Sequence, residues 1–380
     1  MLVAAEASGD DRGAALIRAL RRRLGSDVRF IGVGGANMAR EGVESPFDIA
    51  ELSILGLVEG LLAYRRVVAR VKDTILLAEA QKPDVVVLID SWGFTLRVAQ
   101  ALRRLQPSLP LVKYVGPQVW ASRPGRARTL AATVDLLLSI HAFDAPYFQK
   151  EGLKTVFVGN GALALDFTPA DPAGLRQRLG IGPGEPVLLV LPGSRPGEIK
   201  RVLPAFEGAV RRLKAARPDL QIIVPAASTV AQAVHARVAG WPFRAHVIEN
   251  EADKLSAMKA ADVALACSGT VTTELALAGC PLVVGYRLSP LTYALLKPII
   301  RTPYITLLNI AAQAFVAPEL VQGECNPERL AAEVERLLAS GTERQAQRDA
   351  QFAALDQMGR GGADPAEAAA GAIMDFLSGR

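Results

Sequence analysis

The chain is poor in the residues that build metal centres and covalent cross-links. Its 380 residues include three cysteines and three histidines. Cys267, Cys280 and Cys325 are scattered, form no CxxC pair and are odd in number, which excludes a disulfide framework and fits a reducing, cytoplasmic compartment. His141, His235 and His246 show no ligand spacing with one another or with the cysteines, so no metal site is expected. Long hydrophobic runs are also missing. None approaches the roughly 20 residues of a membrane span. The apolar start Met1-Leu2-Val3-Ala4-Ala5 meets Glu6 and Asp10 with no basic segment before it, so it reads as a strand and not as a leader. Charge of one sign is scarce as well. The net charge of +5 is too small for a nucleic-acid footprint, and no nucleic-acid partner is expected. It is compatible with an anionic small ligand or an anionic membrane surface.

Half the residues are apolar, and a chain of this length divides into two domains. The first half alternates strand-like and helix-like segments. Strands are expected at 2–5, 28–33, 85–89, 111–115, 136–140 and 156–158, with helices at 12–24, 67–80 and 95–105. Residues 159–186 shift to Gly, Pro and Ala around one short helix at 173–179, as an interdomain connection does. A second block follows, with strands at 187–191, 221–224, 246–248, 263–266 and 282–284 and helices at 202–217, 230–238, 254–260 and 272–278. The tail is helical at 330–338 and 342–357. Strands separated by helices imply right-handed βαβ units and parallel sheets. The expected fold is therefore α/β, with two Rossmann-like, doubly wound parallel-sheet domains facing a cleft. Residues 1–162 form the first domain and 163–345 the second, and 346–380 form a helical tail that packs back on the first.

Three strand ends carry chemistry. Val187 to Leu191 is wholly apolar and stops at Pro192-Gly193-Ser194-Arg195. Ligands of open α/β sheets bind past the carboxyl ends of such strands, and an Arg there offers a planar fork of donors to phosphate oxygens. The plainer alternative pairs Arg195 with Glu198 or leaves it in solvent. Cys267-Ser268-Gly269-Thr270 follows a strand and opens a helix. Small side chains, hydroxyls and free N–H groups at a helix start make a phosphate cradle, and Glu274 one turn on suits sugar hydroxyls. Simple capping by Ser268 and Thr270 is the alternative. Ile89-Asp90-Ser91 ends a buried strand with a carboxylate, placed either to accept a proton from a hydroxyl or to cap the next helix. Glu6-Ala7-Ser8-Gly9-Asp10 lies at a fourth strand-to-helix turn of the same kind. Residues 52–71 are apolar at helical spacing, with Leu57, Val58, Leu61 and Leu62 followed by Arg65, Arg66 and Arg70. They form either a core helix with a cationic last turn or a membrane- or acyl-facing surface with basic anchors. Residues 290–300 are a second segment of this kind.

These motifs, in this order, resemble the lipid-A-disaccharide synthase family, glycosyltransferases of the two-domain GT-B architecture. The resemblance also takes in Gly32-Val33-Gly34-Gly35, Pro117-Gln118-Val119-Trp120-Ala121, Val283-Val284-Gly285-Tyr286, Leu308-Asn309, and Pro318-Glu319 with Gln322. It implies that UDP-2,3-diacylglucosamine donates its sugar to the 6-hydroxyl of 2,3-diacylglucosamine 1-phosphate. A β-1,6 disaccharide phosphate and UDP result, with inversion and without metal or cofactor. By position, Asp90 matches the family's general base. Gly193, Ser194, Arg195, Ser268, Gly269, Thr270, Glu274, Asn309 and Gln322 fall on the UDP side, and Glu6, Ser8, Gly9 and Asp10 on the first domain's side of the cleft. The resemblance further implies peripheral attachment to the cytoplasmic face of the inner membrane and allows a homodimer. Two other readings stay open: another UDP-sugar-dependent GT-B transferase or epimerase, and a weakly catalytic UDP-sugar-binding protein. The chain departs from the family pattern in the first domain. Trp92-Gly93-Phe94-Thr95 stands where the family usually reads Pro-Asp-Phe-Asn, Asn160-Gly161 replaces His-Pro, and His141-Ala142-Phe143-Asp144 replaces Leu-Pro-Phe-Glu. Ala5 stands where a glycine is usual.

Overall fold

The computed structural model describes residues 1–25, 27–52 and 59–379, without the side chains of 59–63. The chain divides into two compact units, residues 1–160 with 362–380 and residues 161–361.

Unit 1 is built on six strands, β1 (Leu2–Ala4), β2 (Gly32–Val33), β3 (Val86–Ile89), β4 (Leu111–Tyr114), β5 (Leu136–Ser139) and β6 (Lys154–Phe157). All pair in parallel, in the order β2-β1-β3-β4-β5-β6. β1 to β5 are buried on both faces, as their mainly apolar runs require. The helices are α1 (Ala7–Leu24), α2 (Ala36–Arg40), α3 (Glu59–Gln81), α4 (Trp92–Leu105), α5 (Gly125–Ala131) and α6 (Ala145–Gln149). α1 packs Leu16, Ile17 and Leu20 on one face of the sheet, and Val98, Leu102 and Phe148 belong to the core on the other.

Unit 2 also has six parallel strands, β7 (Val187–Leu191), β8 (Gln221–Pro225), β9 (His246–Ile248), β10 (Val263–Cys267), β11 (Leu282–Tyr286) and β12 (Glu319–Val321). Their order is β12-β11-β10-β7-β8-β9. The helices are α7 (Pro172–Leu179), α8 (Pro196–Ala216), α9 (Ala231–Val238), α10 (Glu251–Ala260), α11 (Val271–Ala278), α12 (Pro290–Leu296), α13 (Leu307–Ala312), α14 (Pro327–Ala339) and α15 (Gly341–Gln357). One core holds Phe206, Val210 and Leu213 of α8 against Val334 and Leu337 of α14. The other holds Met258, Leu275, Leu308 and Leu355. Each such fully buried side chain stabilises the unit by roughly 1.5–3 kcal/mol.

The last helix, α16 (Pro365–Ser378), belongs to unit 1. Ile373 and Phe376 join the α1 core, and Glu367 takes Arg22 and Arg23 at 2.5 and 3.0 Å. The expected tail boundary at 345 is thus corrected. Residues 346–361 stay in unit 2, because Ala354, Leu355 and Met358 complete its core. The expected strand at 28–33 shrinks to β2, which pairs only at Gly32 and Val33. α8 starts six residues before the expected helix, because Pro196 sits in its first turn and Glu198 caps it. Arg65, Arg66 and Arg70 do not lie in a last helical turn: α3 runs on to Gln81, so its dipole offers them no stabilisation. Among the described residues no helix is long and apolar enough to cross a membrane.

Candidate active site

Each sheet reverses its strand order once, and the chemistry-bearing loops sit at those reversals. In unit 2 the neighbours β7 and β10 diverge in connectivity, so the loops after Leu191 and Cys267 open a crevice between them. In unit 1 the corresponding neighbours are β1 and β3, with Ala4 opposite Ile89. The loops after them carry Glu6 to Asp10 and Asp90.

The unit 2 crevice is a cavity of about 440 Å3. Gly193, Ser194, Arg195, Ser268, Gly269, Thr270 and Glu274 all line it, so seven of the nine expected donor residues converge. Gly193 adopts φ +114°, and a Cβ there would fall 2.5 Å from Glu198 Oε2, so only glycine fits. The Glu198 carboxylate accepts from the amides of Ser194 at 3.0 Å and Arg195 at 3.2 Å. It satisfies the start of α8 and leaves the Arg195 guanidinium 80% exposed, with one contact to Glu198 at 3.3 Å. On the opposite rim the amides of Gly269, Thr270 and Val271 have no acceptor among the described residues, whereas those of Thr272, Thr273 and Glu274 turn back to the Gly269 and Thr270 carbonyls at 3.2, 3.0 and 3.2 Å. Ser268 donates to the Ile305 carbonyl at 3.2 Å, and a Cβ on Gly269 would meet nothing within 4 Å. The cradle is open there. Cys267 lines the floor, where burial pushes its thiol up to about 12 and keeps it inert.

The sequence reading missed the third wall. β9 and α10 contribute Ile248, Glu249, Asn250, Glu251 and Lys254. Lys254 Nζ lies 2.8 Å from Glu274 and 3.0 Å from Glu251. Burial opposes its charge, but the two carboxylates prevail and raise its pKa. Glu274 is therefore an acid tied to a cation, not a solvated one. Nothing local in Glu251-Ala252-Asp253-Lys254 separates it from a surface charge run.

Asn309 and Gln322 do not line the cavity. Asn309 is fully buried, and its amide group donates to and accepts from Ala317 at 2.8 and 3.0 Å. Both ends of its side chain are occupied in closing the loop after α13, which corrects the expectation of direct donor contact. Gln322 Oε1 accepts from the Leu288 amide at 2.8 Å. Glu319 accepts from the amides of Ile305 and Thr306 and the Thr306 hydroxyl at 2.9, 2.8 and 2.7 Å. Glu319 and Asn309 brace the segment that receives the Ser268 hydroxyl, and Gln322 braces the loop at Leu288.

In unit 1, Asp90 emerges at the carboxyl end of β3 with φ +50°, followed by Ser91 at +38°. This left-handed corner turns the carboxylate out of the sheet, one-third exposed, 3.2 Å from Arg12 Nη1 and 3.5 Å from Ser8 Oγ. It does not cap α4. Glu6 and Ser8 are exposed at the neighbouring turn. Gly9 and Asp10 are not ligand groups, contrary to expectation. A Cβ on Gly9 would meet Ala4 Cβ at 3.3 Å. Asp10 is buried and accepts from the amides of Gly35, Asn37 and Met38 at 2.8, 2.8 and 3.0 Å, which fixes the start of α2. Trp120 Nε1 donates to Asp144 at 2.8 Å, and Asp144 accepts from Ser139 at 2.9 Å, so the divergent His141–Asp144 motif is locked to a motif that keeps the family pattern.

Lys113 was also missed, because one Lys inside an apolar strand gives no local signal. It is buried in β4, and its Nζ donates to the Asp90 carbonyl and, at 2.8 Å, to Thr95 Oγ1. Burial lowers its pKa to about 7, against the pull of Asp90 and Glu6. The unfolded chain keeps the ordinary value near 10.5, so between these values it binds the extra proton and stability rises with pH. Lys113→Met is expected to abolish this rise, which should amount to a few kcal/mol. Denaturant unfolding at pH 6.5 and 9.5 checks it; equal slopes in both proteins would remove Lys113 as the cause.

Of the expected membrane-facing residues, Leu57 and Val58 lie outside the described residues, as do the side chains of Leu61 and Leu62 on α3. Arg65 and Arg66 are exposed, beside the exposed Tyr64 and Val68.

Comparison with known proteins places this architecture. Residues 1–372 match the family described as lipid-A-disaccharide synthetase. The chain is 41% identical over 379 residues to the lipid-A-disaccharide synthase of Rhodospirillum centenum, covering 100% of this chain and 94% of the relative. It is 40% identical over 378 residues to that of Paramagnetospirillum magneticum, covering 99% and 97%. Among solved structures, a putative UDP-N-acetylglucosamine 2-epimerase from Listeria monocytogenes superimposes with TM-score 0.64 at 16% identity, covering 100% and 96% of the two chains. The glycotransferase of kitacinnamycin gives 0.62 at 18%, covering 98% and 97%. At such identities the structures speak to the fold, which is GT-B. With its two parallel six-stranded sheets and a family match along nearly its whole length, the chain belongs to the lipid-A-disaccharide synthases, glycosyltransferases of lipid A synthesis.

Proposed function

We propose that this chain joins two acylated glucosamines. It transfers 2,3-diacylglucosamine from UDP to the 6-hydroxyl of 2,3-diacylglucosamine 1-phosphate, inverting the anomeric centre. The observation that carries the reading is the unit 2 crevice, where Arg195, Lys254 and the start of α11 surround one cavity. A nucleoside diphosphate supplies what this cavity lacks. Its diphosphate takes the amides of Gly269, Thr270 and Val271 at the start of α11 and the Arg195 guanidinium. Its ribose hydroxyls suit Glu274, held by Lys254, and its base suits the apolar wall of Pro225, Ala226 and Ile248.

The reaction is a single displacement. Asp90 accepts the proton of the acceptor 6-hydroxyl as that oxygen bonds to the donor's C1. The C1–O bond to UDP breaks, and its electron pair passes to the β-phosphate. Arg195 and the α11 start stabilise that growing charge, so the reading needs no metal or cofactor. A protein acting on acylated substrates works at a lipid surface. We place it peripherally on the cytoplasmic face of the inner membrane. Support comes from the exposed Leu291, Leu295 and Ile300 beside Lys297 and Arg301, and from Tyr64 and Val68 beside Arg65 and Arg66.

Incubation of the purified protein with both acylated substrates, read by mass spectrometry, tests the reading. UDP release matched by a tetra-acyl disaccharide phosphate supports it. UDP binding without product would leave a binding protein, and equal turnover of unacylated acceptors a different transferase.

A further inference from the structure

Trp92-Gly93-Phe94-Thr95 stands where the family usually reads Pro-Asp-Phe-Asn. Trp92 opens α4 two residues after Asp90. The guanidinium of Arg126, on α5, lies 5.1 Å from the centre of its indole ring. Arg126 is half-buried and Arg123 is exposed beside it. Burial and then the Arg123 charge work against the Arg126 cation. Among the described residues neither arginine has an ion pair or a side-chain hydrogen bond.

Among the described residues no carboxylate pairs with Arg126. The first turn of α4 contains no acid. A Cβ on Gly93 would meet only the end of Arg97, at 3.8 Å, so the place is open. Arg97 turns back to the Gly93 carbonyl, and Asp90 already faces Arg12 at 3.2 Å. A cation stacked on an aromatic face keeps its N–H edge free. This one is held in position, partly stripped of water and without a counter-charge among the described residues, on a ring that follows Asp90 by two residues. An anion delivered there meets a cation that pays little further desolvation.

We propose that Arg126, braced by Trp92 and assisted by Arg123, binds the phosphate monoester of the acceptor sugar. The assignment rests on the functional reading above. It gives the two ends of the acceptor separate partners, the 6-hydroxyl on Asp90 and the anomeric phosphate on Arg126. It also assigns the Trp92 departure a role, since an indole is the strongest cation–π platform among side chains.

The experiment compares kcat/KM for the acylated glucosamine acceptor with and without its phosphate, in neutral detergent micelles. Arg126→Met is expected to lower the ratio of the two values at least tenfold, Trp92→Leu to lower it less, and Trp92→Phe to retain most of it. A ratio within twofold of the parent in Arg126→Met would overturn the proposal. Binding of glucosamine 1-phosphate against glucosamine, by calorimetry, keeps the test independent of turnover. A preference for the phosphorylated sugar that Arg126→Met removes supports the site even if the parent forms no disaccharide, in which case the functional reading falls alone. No preference in the parent overturns the site. Vesicles with and without phosphatidylglycerol distinguish the other source of phosphate. If Arg126→Met weakens only binding to the anionic vesicles, the cation serves the membrane and the proposal is wrong.

Discussion

Asp90→Asn is expected to lower kcat by roughly 10²–10⁴, the usual contribution of a positioned general base, while UDP affinity stays within twofold. The side chain keeps its shape and loses only its capacity to take a proton. Asn is also among the few residues that tolerate the left-handed conformation seen at this position, so the corner at 90–91 survives the exchange. The cavity proposed for UDP is lined by unit 2 residues alone. Steady-state kinetics and UDP titration of the same preparation separate the two quantities. Undiminished turnover would remove Asp90 from the mechanism, and a parallel loss of UDP affinity would point to misfolding.

Arg195→Ala should lower kcat by about 10²–10³, as removal of a charge-stabilising donor does. Its guanidinium is 80% exposed and has one contact, to Glu198 at 3.3 Å, so stability should change by no more than about 0.5 kcal/mol. Arg195→Lys should recover only part of the rate, because an ammonium lacks the planar fork. Thermal melting and turnover measured together decide the matter. A large fall in melting temperature, or a rate unchanged by the alanine, would count against a role at the departing UDP.

Much of this was legible because buried parallel strands announce themselves. Val187 to Leu191 and Val263 to Cys267 are unbroken apolar runs ending in small residues, and strand ends at a reversal are where ligands bind. Arg195, Ser268 and Asp90 could be found from that rule alone. What escaped depended on distance along the chain. Lys113 looks like a stray charge until β4 is laid beside β3 and its amine reaches the Asp90 carbonyl. Lys254 is one of several charges on α10 until Glu274 arrives from the next helix. Asp10 and Asn309 misled in the opposite sense. Their residue types suit ligands, but each is consumed by backbone groups, at 35–38 and at 317. A sequence shows what a side chain offers and not who takes it first. β12 was missed because three residues give too little periodicity.

The return of α16 to unit 1 has a consequence for the order of synthesis. Unit 2 is one continuous stretch, whereas the cover over Leu136 and Leu138 is completed by residues 362–380. A ribosome therefore makes the whole of unit 2 before unit 1 can finish folding, reversing the usual N-terminal-first order. Until then the nascent unit 1 sheet carries an apolar face without its last helix, the kind of surface that chaperones hold. The first unit begun is the last one closed.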